Sequence, residues 1–394
     1  MFRPLLAVFI TGKLIACDTI LPLLLEVHDR APKTRIRVYC FDDDTYDCIK
    51  INRVLWEAIH SIGDLRRLGG GQKTLTGRIG RLFATAIEML KLTATALLGR
   101  ATFIHFRTLE NWPFRILFIA NRRRTFLVER NCWGYSPIVQ AVDNLYEQRK
   151  TPVRAATAAS ALVCFSRDWP ELEKSSAGKD VFVLPPTRAS EKWLDYVSRD
   201  ADAMISAELR NNGFPPDSRY FVIVLGYFGE FKFIDGGERM SGLLRDCLRV
   251  LAEQAPDIPV LLKPHAITQL DVLNRVMREA NHPRAFVSYL HPAVLALRAL
   301  AVLCNYYSSA LGDARLVGAP TIEFTAYNAD CLKVTGGGSM RPEHVDVFIQ
   351  DDKAELRRVI DEIVKGTLRY EVLRFERGDT DRFLDRLAPI ACGS

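Results

Sequence analysis

Short runs of apolar residues alternate with longer amphipathic, helix-like patterns along almost the whole chain. A first series of these runs predicts strands at Leu5–Ile10, Arg35–Phe41, Thr102–Phe106, Thr125–Glu129, Ala161–Phe165 and Val181–Leu184. A second series predicts strands at Tyr220–Leu225, Pro259–Leu262, Ala285–Val287, Val302–Asn305, Thr321–Phe324 and Val345–Ile349. Strands that alternate with helices form mostly parallel sheets covered on both faces. The pattern therefore predicts an α/β protein with two Rossmann-like domains that face a cleft.

The two series are separated by Asn212-Gly213-Phe214-Pro215-Pro216-Asp217, in which Gly and Pro are typical of a linker. We therefore predict a first domain over residues 1–211 and a second over residues 212–366. Residues 367–394 are charged with a helical pattern, and we expect this C-terminal helix to cross back toward the first domain.

Composition is that of an ordinary globular protein, with 48% hydrophobic and 25% charged residues. The formal net charge of +6 suits a phosphate-bearing ligand or an anionic membrane surface, and is too small to indicate nucleic acid. The 9 cysteines include no CxxC pair, which favours a reduced, cytoplasmic compartment. No apolar run approaches the roughly 18 residues of a membrane span, so we expect none.

The segment Lys73–Leu98 combines basic residues with an apolar stripe. A core helix with a solvated basic edge is the favoured interpretation, because most apolar helical stripes are packed inside. The alternative is a basic amphipathic helix that lies on the inner membrane surface and makes a peripheral contact there.

Ser308 and Ser309 follow an apolar run and precede a short helical pattern that stops at Gly318. Two hydroxyls and the free amides of a helix N-terminus can hold a phosphate. The next apolar run ends in Glu323. A carboxylate beyond the carboxyl end of a strand can hold the hydroxyls of a ribose, because ligands of open α/β sheets lie at that edge.

Lys263-Pro264-His265 closes the strand that the pattern predicts at Pro259–Leu262, so Lys263 and His265 could both reach a phosphate. The alternative is a buried capping histidine without a ligand. The chain contains neither a P-loop nor a GxGxxG sequence, which excludes an ordinary kinase or dehydrogenase.

Lys-x-His after one strand and Ser-Ser before a later helix resemble the nucleotide-binding half of bacterial CMP-sugar glycosyltransferases of the GT-B fold, among them sialyltransferases, polysialyltransferases and Kdo transferases. The resemblance covers mainly the second half of the chain and implies that His265, Ser308 and Ser309 contact the donor phosphate. Where the family has His-Pro, this chain has His265-Ala266, and literal His-Pro pairs lie at His282 and His291. Glycerophosphotransferases that use CDP-glycerol resemble the same pattern, so the donor stays open.

The same family keeps an acidic motif after a strand of the first domain, and its match here is Glu129. A carboxylate there can act as general base toward an acceptor hydroxyl, or as a nucleophile. The alternative is an ion pair with one of Arg122–Arg124. Weaker candidates for the acceptor side are Gly12, Lys13, His105, Arg107 and Trp133.

The resemblance implies transfer of an acidic sugar, Kdo or sialic acid, from a CMP-sugar to a saccharide or lipid-linked glycan acceptor in bacterial surface polysaccharide synthesis. It implies no metal and no cofactor besides the donor, and Asp42-Asp43-Asp44 is interpreted as a solvated turn. The alternatives are a GT-B enzyme that uses a UDP-sugar or CDP-glycerol, a 2-epimerase of UDP-sugars, and a non-catalytic subunit that binds nucleotide sugars or glycans.

Overall fold

The computed structural model describes residues 3–10, 14–68, 75–106, 114–129, 131–146, 158–168, 172, 176–234, 239–265 and 267–392. Its strands are β1 (Leu5–Ile10), β2 (Arg35–Cys40), β3 (Gly63–Arg67), β4 (Ala101–His105), β5 (Thr125–Val128), β6 (Ala161–Cys164), β7 (Asp180–Val183), β8 (Tyr220–Val224), β9 (Val260–Lys263), β10 (Ala285–Val287), β11 (Ala299–Cys304), β12 (Thr321–Thr325) and β13 (Val347–Gln350).

Most of the helices lie between these strands, as the alternating pattern requires, and the last two follow β13. The α-helices are α1 (Leu14–Arg30), α2 (Asp43–Ile51), α3 (Arg53–Ile62), α4 (Leu75–Leu97), α5 (Phe114–Ala120), α6 (Pro137–Leu145), α7 (Glu191–Arg199), α8 (Ala201–Asn211), α9 (Arg239–Gln254), α10 (Leu270–Ala280), α11 (Pro292–Ala296), α12 (Ser309–Leu316), α13 (Ala329–Thr335), α14 (Lys353–Val364) and α15 (Thr380–Cys392). None of the helices in the described ranges is long and apolar enough to cross a membrane.

The chain forms two compact units, each with its own parallel sheet. The first unit comprises Met1–Tyr135, Pro152–Leu194 and Phe375–Ser394, and the second comprises Ser136–Thr151 and Asp195–Arg374. The first sheet has the strand order β3-β2-β1-β4-β5-β6-β7, and the second has the order β10-β9-β8-β11-β12-β13. The prediction of an α/β protein with two Rossmann-like sheets is confirmed.

The observed division of the chain differs in detail from the predicted one. The predicted boundary between residues 211 and 212 lies inside the second unit, which begins its main stretch at Asp195. Helix α6 comes from the first half of the sequence but belongs to the second unit. There Ser136 caps α6 and donates its hydroxyl to Met340 O at 3.4 Å, and Tyr146 Oη donates to Asn328 Oδ1 at 2.6 Å.

Strand β3 is missing from the sequence-based prediction. Its residues, Gly-Asp-Leu-Arg-Arg, contain no apolar run, because β3 is an edge strand that pairs only with β2. The predicted strands are all present. Most have shifted ends, and the largest shift is at β11, which begins at Ala299 instead of Val302.

Aromatic side chains fill one face of the first sheet. Phe9 on β1 is fully buried, and its ring centroid lies 5.3 Å from that of Tyr39, 5.6 Å from that of Phe103 and 5.3 Å from that of Phe118. Edge-on and offset ring pairs at such distances add to the stability that burial provides. Helix α4 packs on this cluster through Leu92 but exposes much of its remaining apolar surface, so it is not the core helix that the sequence favoured.

The C-terminal helix α15 packs on the first sheet. Phe383 is fully buried, with its ring centroid 5.8 Å from that of Phe126 on β5 and 5.4 Å from that of Phe182 on β7. Arg30, at the end of α1, forms ion pairs with Asp381 and Asp385 at the surface. Apolar contact therefore holds α15 on the first unit, with ion pairs around it.

We predict that Phe383→Ala lowers the free energy of unfolding of the first unit by about 3–5 kcal/mol, because it removes a buried ring and leaves a cavity. Urea denaturation followed by circular dichroism measures this. Phe83→Ala is the matched control: Phe83 lies on α4 of the first unit and is 70% exposed, so we expect a loss below about 1 kcal/mol. Equal losses in the two variants would contradict the assignment of Phe383 to the core.

Candidate functional site

Three neighbouring strands of the second sheet bring the predicted phosphate-binding residues to one edge. Lys263 is the last residue of β9 and is followed by Pro264 and His265, and Ser308 and Ser309 come shortly after β11. Strand β8 lies between β9 and β11, and all three run parallel. Their carboxyl ends therefore meet at the same edge, where open α/β sheets bind their ligands.

Hydrogen bonds tie the segment after β9 to the segment after β8. The His265 amide donates to Thr268 Oγ1 at 2.9 Å, and the Thr268 hydroxyl donates to Gly226 O at 2.8 Å. The Phe228 amide donates to Gln269 Oε1 at 2.9 Å. The backbone at His265 is thus fixed relative to the end of β8.

Gly226 also brings the segment after β8 into close contact with the segment after β11. A Cβ atom at Gly226 would lie 2.0 Å from Tyr306 Oη, so no other residue fits without moving that ring. Tyr306 in turn packs against Phe231, with ring centroids 5.0 Å apart. Since Tyr306 lies two residues before Ser308, the close approach positions the serine pair next to β8.

Ser308 and Ser309 begin helix α12. Ser308 has extended backbone angles and is the N-cap, and its Oγ accepts from the Ala310 amide at 3.3 Å. Ser309 is the first helical residue, and both serines are partly exposed. Hydroxyls and first-turn amides at a helix start form a site suited to an anion.

Lys263 and His265 place basic groups at the same edge. Lys263 Nζ lies 5.9 Å from the centre of the Tyr289 ring, and Tyr289 is itself 46% exposed. The His265 side chain is exposed, and its Nδ1 accepts from the Ile267 amide at 3.3 Å. This strand edge therefore combines a cation, an imidazole, hydroxyls and exposed aromatic surface.

The two histidines of the literal His-Pro pairs have local structural roles. His291 is buried and caps α11, with its Nδ1 accepting from the Ala293 amide at 3.2 Å. His282 is also buried, and its Nδ1 accepts from the Arg284 amide at 3.2 Å.

Glu323 does not have the position that the sequence suggested. It is the middle residue of β12, pairs in register with Cys304 and Phe348, and is fully buried. Its carboxylate accepts from Ser339 Oγ at 2.5 Å and from Tyr327 Oη. Glu323 is therefore a buried structural residue instead of a ribose ligand, because both of its oxygens already have partners inside the protein.

Tyr327, which donates a hydrogen bond to Glu323, also contacts the segment that carries the serine pair. The Tyr307 amide donates to Tyr327 Oη at 3.3 Å, and Tyr307 directly precedes Ser308. The Tyr327 amide donates to Gln350 Oε1 at 3.1 Å, which connects the same residue to β13. The start of α12 is thus held from one side by Gly226 and Tyr306, and from the other by Tyr327.

Glu129 follows β5 in the first sheet, at the carboxyl edge of that sheet. Its Oε2 accepts from the Phe165 amide, beyond β6, at 3.0 Å, and its side chain is partly exposed. Arg122–Arg124 precede β5 and therefore lie at the other end of the strand from Glu129.

Two of the weaker acceptor-side candidates are buried. His105, the last residue of β4, is fully buried and stacks on Phe118 with ring centroids 4.3 Å apart, and burial lowers its pKa to about 4. Trp133 is 7% exposed and meets Phe375 edge-on at 6.1 Å. Both side chains pack inside the first unit and do not line its surface. Gly12, Lys13 and Arg107 lie outside the described residues.

In the part of the chain that the structure describes, no three His, Cys, Asp or Glu side chains form a group that could hold a metal ion. The acidic run Asp42–Asp44 starts a helix: Asp42 caps α2 by accepting from the Thr45 amide at 2.7 Å, and Asp43 pairs with Arg67.

Thr268, Tyr306 and Tyr327 were not predicted as site residues, although they position the segments that carry the site. Each acts through a partner distant in sequence, so no local pattern marks it. The glycines of Gly226-Tyr227-Phe228-Gly229 are a local signal for a close approach of the backbone after β8, but they do not identify these three side chains.

Two parallel Rossmann-like sheets with these strand orders define the GT-B fold, and comparison with solved structures agrees. One similar structure is UDP-GlcNAc 2-epimerase from Neisseria meningitidis bound to UDP-GlcNAc. It is 13% identical, with a TM-score of 0.56, and the match covers 98% of this chain and 99% of the epimerase. The UDP-GlcNAc 2-epimerase of Methanocaldococcus jannaschii is 11% identical over 98% of this chain and 99% of its own, with a TM-score of 0.55. Arabidopsis thaliana UGT89C1, complexed with UDP, is 12% identical over 99% of this chain and 100% of its own, with a TM-score of 0.53. No protein-family model and no curated protein matches the sequence.

The buried carboxyl of Glu323 makes stability depend on pH. Burial raises its pKa to about 7, although hydrogen bonds from Ser339 and Tyr327 oppose the shift. The ordinary pKa of a glutamate is 4.5, so between pH 4.5 and pH 7 the folded state keeps a proton that the unfolded state releases. The free energy of unfolding therefore falls as the pH rises through this range. We predict a fall on the order of 3 kcal/mol for the wild type relative to Glu323→Gln, which is complete about one pH unit above the pKa of about 7.

Urea denaturation of both proteins across this pH range measures the difference between them. Glu253→Gln, at an exposed position on α9, is the control that should track the wild type. A constant difference between wild type and Glu323→Gln would show that Glu323 stays ionised in the folded protein.

Proposed function

We propose that this protein is a glycosyltransferase that takes its sugar from a nucleotide sugar bound at the carboxyl edge of the second sheet. The observation that supports this most is that Lys263 and His265 at the end of β9, and Ser308 and Ser309 after β11, lie at the same edge of the sheet on either side of β8. Phosphate is the ligand group that these residue types suit together, since hydroxyls, helix amides and cations all favour an anion.

The same groups would stabilise the leaving nucleotide. As the bond to the sugar breaks, negative charge grows on the phosphate oxygens, and donors fixed beforehand stabilise that charge without reorganising. The bonds of Thr268 to Gly226 and His265, and the packing of Tyr306 on Gly226, are what fix them. Lys263 would add a positive charge at the end of β9.

The donor that we propose is CMP linked to an acidic sugar, Kdo or sialic acid. Support comes from the order Lys263-Pro264-His265 after one strand and Ser308-Ser309 at a later helix start, the pattern that resembles CMP-sugar glycosyltransferases. The acceptor in this proposal is a saccharide or a lipid-linked glycan of bacterial surface polysaccharide synthesis.

A UDP-sugar is the second candidate donor. Two proteins of similar fold are bound to UDP-GlcNAc or complexed with UDP, and two of the similar proteins are 2-epimerases of UDP-GlcNAc. A UDP-sugar enzyme, whether a transferase or an epimerase, would use the same strand edge for its phosphates. Incubation with UDP-GlcNAc followed by proton NMR distinguishes epimerisation from transfer.

Glu129 is the residue that we propose as general base toward the acceptor hydroxyl. Its carboxylate is partly exposed beyond the end of β5, and the bond from the Phe165 amide orients it. A carboxylate held in this way can accept the proton that the hydroxyl loses as the new glycosidic bond forms.

The nucleotide site is tested with CMP, CDP and UDP by titration calorimetry. We expect CMP to bind more tightly than UDP, and Ser309→Ala to weaken binding about tenfold, because it removes a hydrogen bond to a charged group. Ser309 is chosen over Ser308 because Ser308 also caps the helix.

Ser198→Ala, at an exposed serine on α7, is the matched control and should bind like the wild type. Tighter binding of UDP would favour the second donor candidate. Absence of binding to all three nucleotides, or equal affinity of Ser309→Ala and wild type, would overturn the proposed site.

The role of Glu129 is tested with Glu129→Gln, which keeps an oxygen that can accept from the Phe165 amide. We expect turnover to fall at least about a hundredfold, while nucleotide affinity stays unchanged. Release of free nucleotide from the donor in the presence of acceptor extracts measures turnover. Unchanged turnover would reduce Glu129 to a structural residue, and an intact donor with the wild-type protein would indicate a binding subunit instead of an enzyme.

A further inference from the structure

Helices α4 and α5, together with Leu98 directly after α4, expose large apolar side chains to solvent. We call this set the α4–α5 face, and its members are Ile79, Phe83, Leu90, Leu97, Leu98, Ile116 and Ile119, each between 49% and 78% exposed. The two helices pack against each other in the first unit. Apolar clusters of this size on a protein surface mark an interaction site.

The orientation of α4 is fixed by its opposite side. Leu92 is 1% exposed in the aromatic core of the first unit, and Glu88 binds Arg37 Nη1 at 2.5 Å and Tyr39 Oη at 2.9 Å. The exposed side chains Phe83, Leu90 and Leu97 recur every seven residues along the other side of the helix. The outward stripe is therefore a consequence of how the helix is anchored.

An arginine-lined pocket lies next to the end of this stripe. Arg123, Arg124, Ser160 and Arg386 line a concavity of about 440 Å³. Gly99, which follows Leu97 and Leu98, lies close to this pocket, because a Cβ atom at Gly99 would lie 4.0 Å from the Arg124 guanidinium.

The pocket carries more positive charge than its surroundings neutralise. Arg124 Nη1 is buried and has no hydrogen-bond partner among the described residues. Arg386 approaches Asp180 at 3.7 Å, and Asp180 is largely exposed. Three arginines that line one concavity suit a phosphate group, because phosphate accepts hydrogen bonds from guanidinium in a planar, paired geometry.

We propose that the α4–α5 face and the arginine pocket together bind the surface of a membrane that contains anionic phospholipids. The apolar side chains of α4 and α5 enter the boundary between headgroups and acyl chains, and the pocket takes a lipid phosphate. An apolar helix face beside basic groups is the arrangement that binds in the plane of a membrane interface. This proposal is independent of the proposed enzymatic function.

Charge favours a membrane over a second copy of the chain as the occupant. A second copy offers an equally apolar face, but its own arginines would lie opposite those of the first copy. The two chains, each with a net charge of +6, would repel each other. An anionic membrane complements the apolar stripe and the pocket at once.

The test is sedimentation of the full chain with vesicles of phosphatidylcholine alone or of phosphatidylcholine with phosphatidylglycerol. We expect binding to the vesicles that contain phosphatidylglycerol, weakened by added salt. Phe83→Glu should reduce the partition coefficient by at least about tenfold, because it removes apolar contact and adds a repelled charge. Arg123→Ala should reduce it about fivefold on the anionic vesicles only.

Val364→Glu is the matched control, since it makes the same kind of change at a 44% exposed side chain on α14 of the second unit. It should bind vesicles like the wild type, and circular dichroism checks that every variant is folded. The proposal is overturned if the wild type stays in the supernatant with both kinds of vesicle, or if Val364→Glu weakens binding as much as Phe83→Glu. A dimer that Phe83→Glu converts to a monomer, without any vesicle binding, would instead identify the face as an interface between copies.

Discussion

The hydroxyl of Thr268 is the contact on which the candidate donor site depends most. It accepts the amide hydrogen of His265 and donates its own hydrogen to the carbonyl of Gly226, so one small side chain joins the ends of two neighbouring strands. The close contact between Gly226 and Tyr306 extends the connection to a third strand. Groups that bind an anion stabilise it most when they need not move to reach it, and this arrangement meets that requirement before any ligand arrives.

Much of the fold could be predicted from the sequence, because buried parallel strands consist of short runs of apolar residues. β1 and β10 have the predicted ends, whereas the edge strand β3 was not predicted because its residues are mostly polar. The serines and the Lys263-Pro264-His265 segment were placed correctly at strand ends because they directly follow apolar runs. These positions depend only on the neighbouring sequence, so they can be located without knowledge of the tertiary contacts.

Residues whose environment is set by distant parts of the chain could not be placed in this way. Glu323 resembled a carboxylate at the end of a strand, but β12 continues past it, and Ser339 and Tyr327 enclose it from later segments. His105 and Trp133 resembled surface residues near strand ends, and neighbouring aromatic rings bury both. Helix α6 likewise belongs to the second unit because of contacts with Met340 and Asn328. The sequence near α6 contains no pattern that predicts these contacts.

The route of the chain between the two units has a consequence for how the protein can be made. The first unit is assembled from three stretches, and its last element is α15, whose Phe383 completes the packing of β5 and β7. The ribosome must therefore synthesise the chain through α15 before that unit can close, while the second unit already has all its residues once Arg374 has emerged. During synthesis the later half can reach its native packing first, and truncation at the C-terminus exposes the sheet of the earlier half.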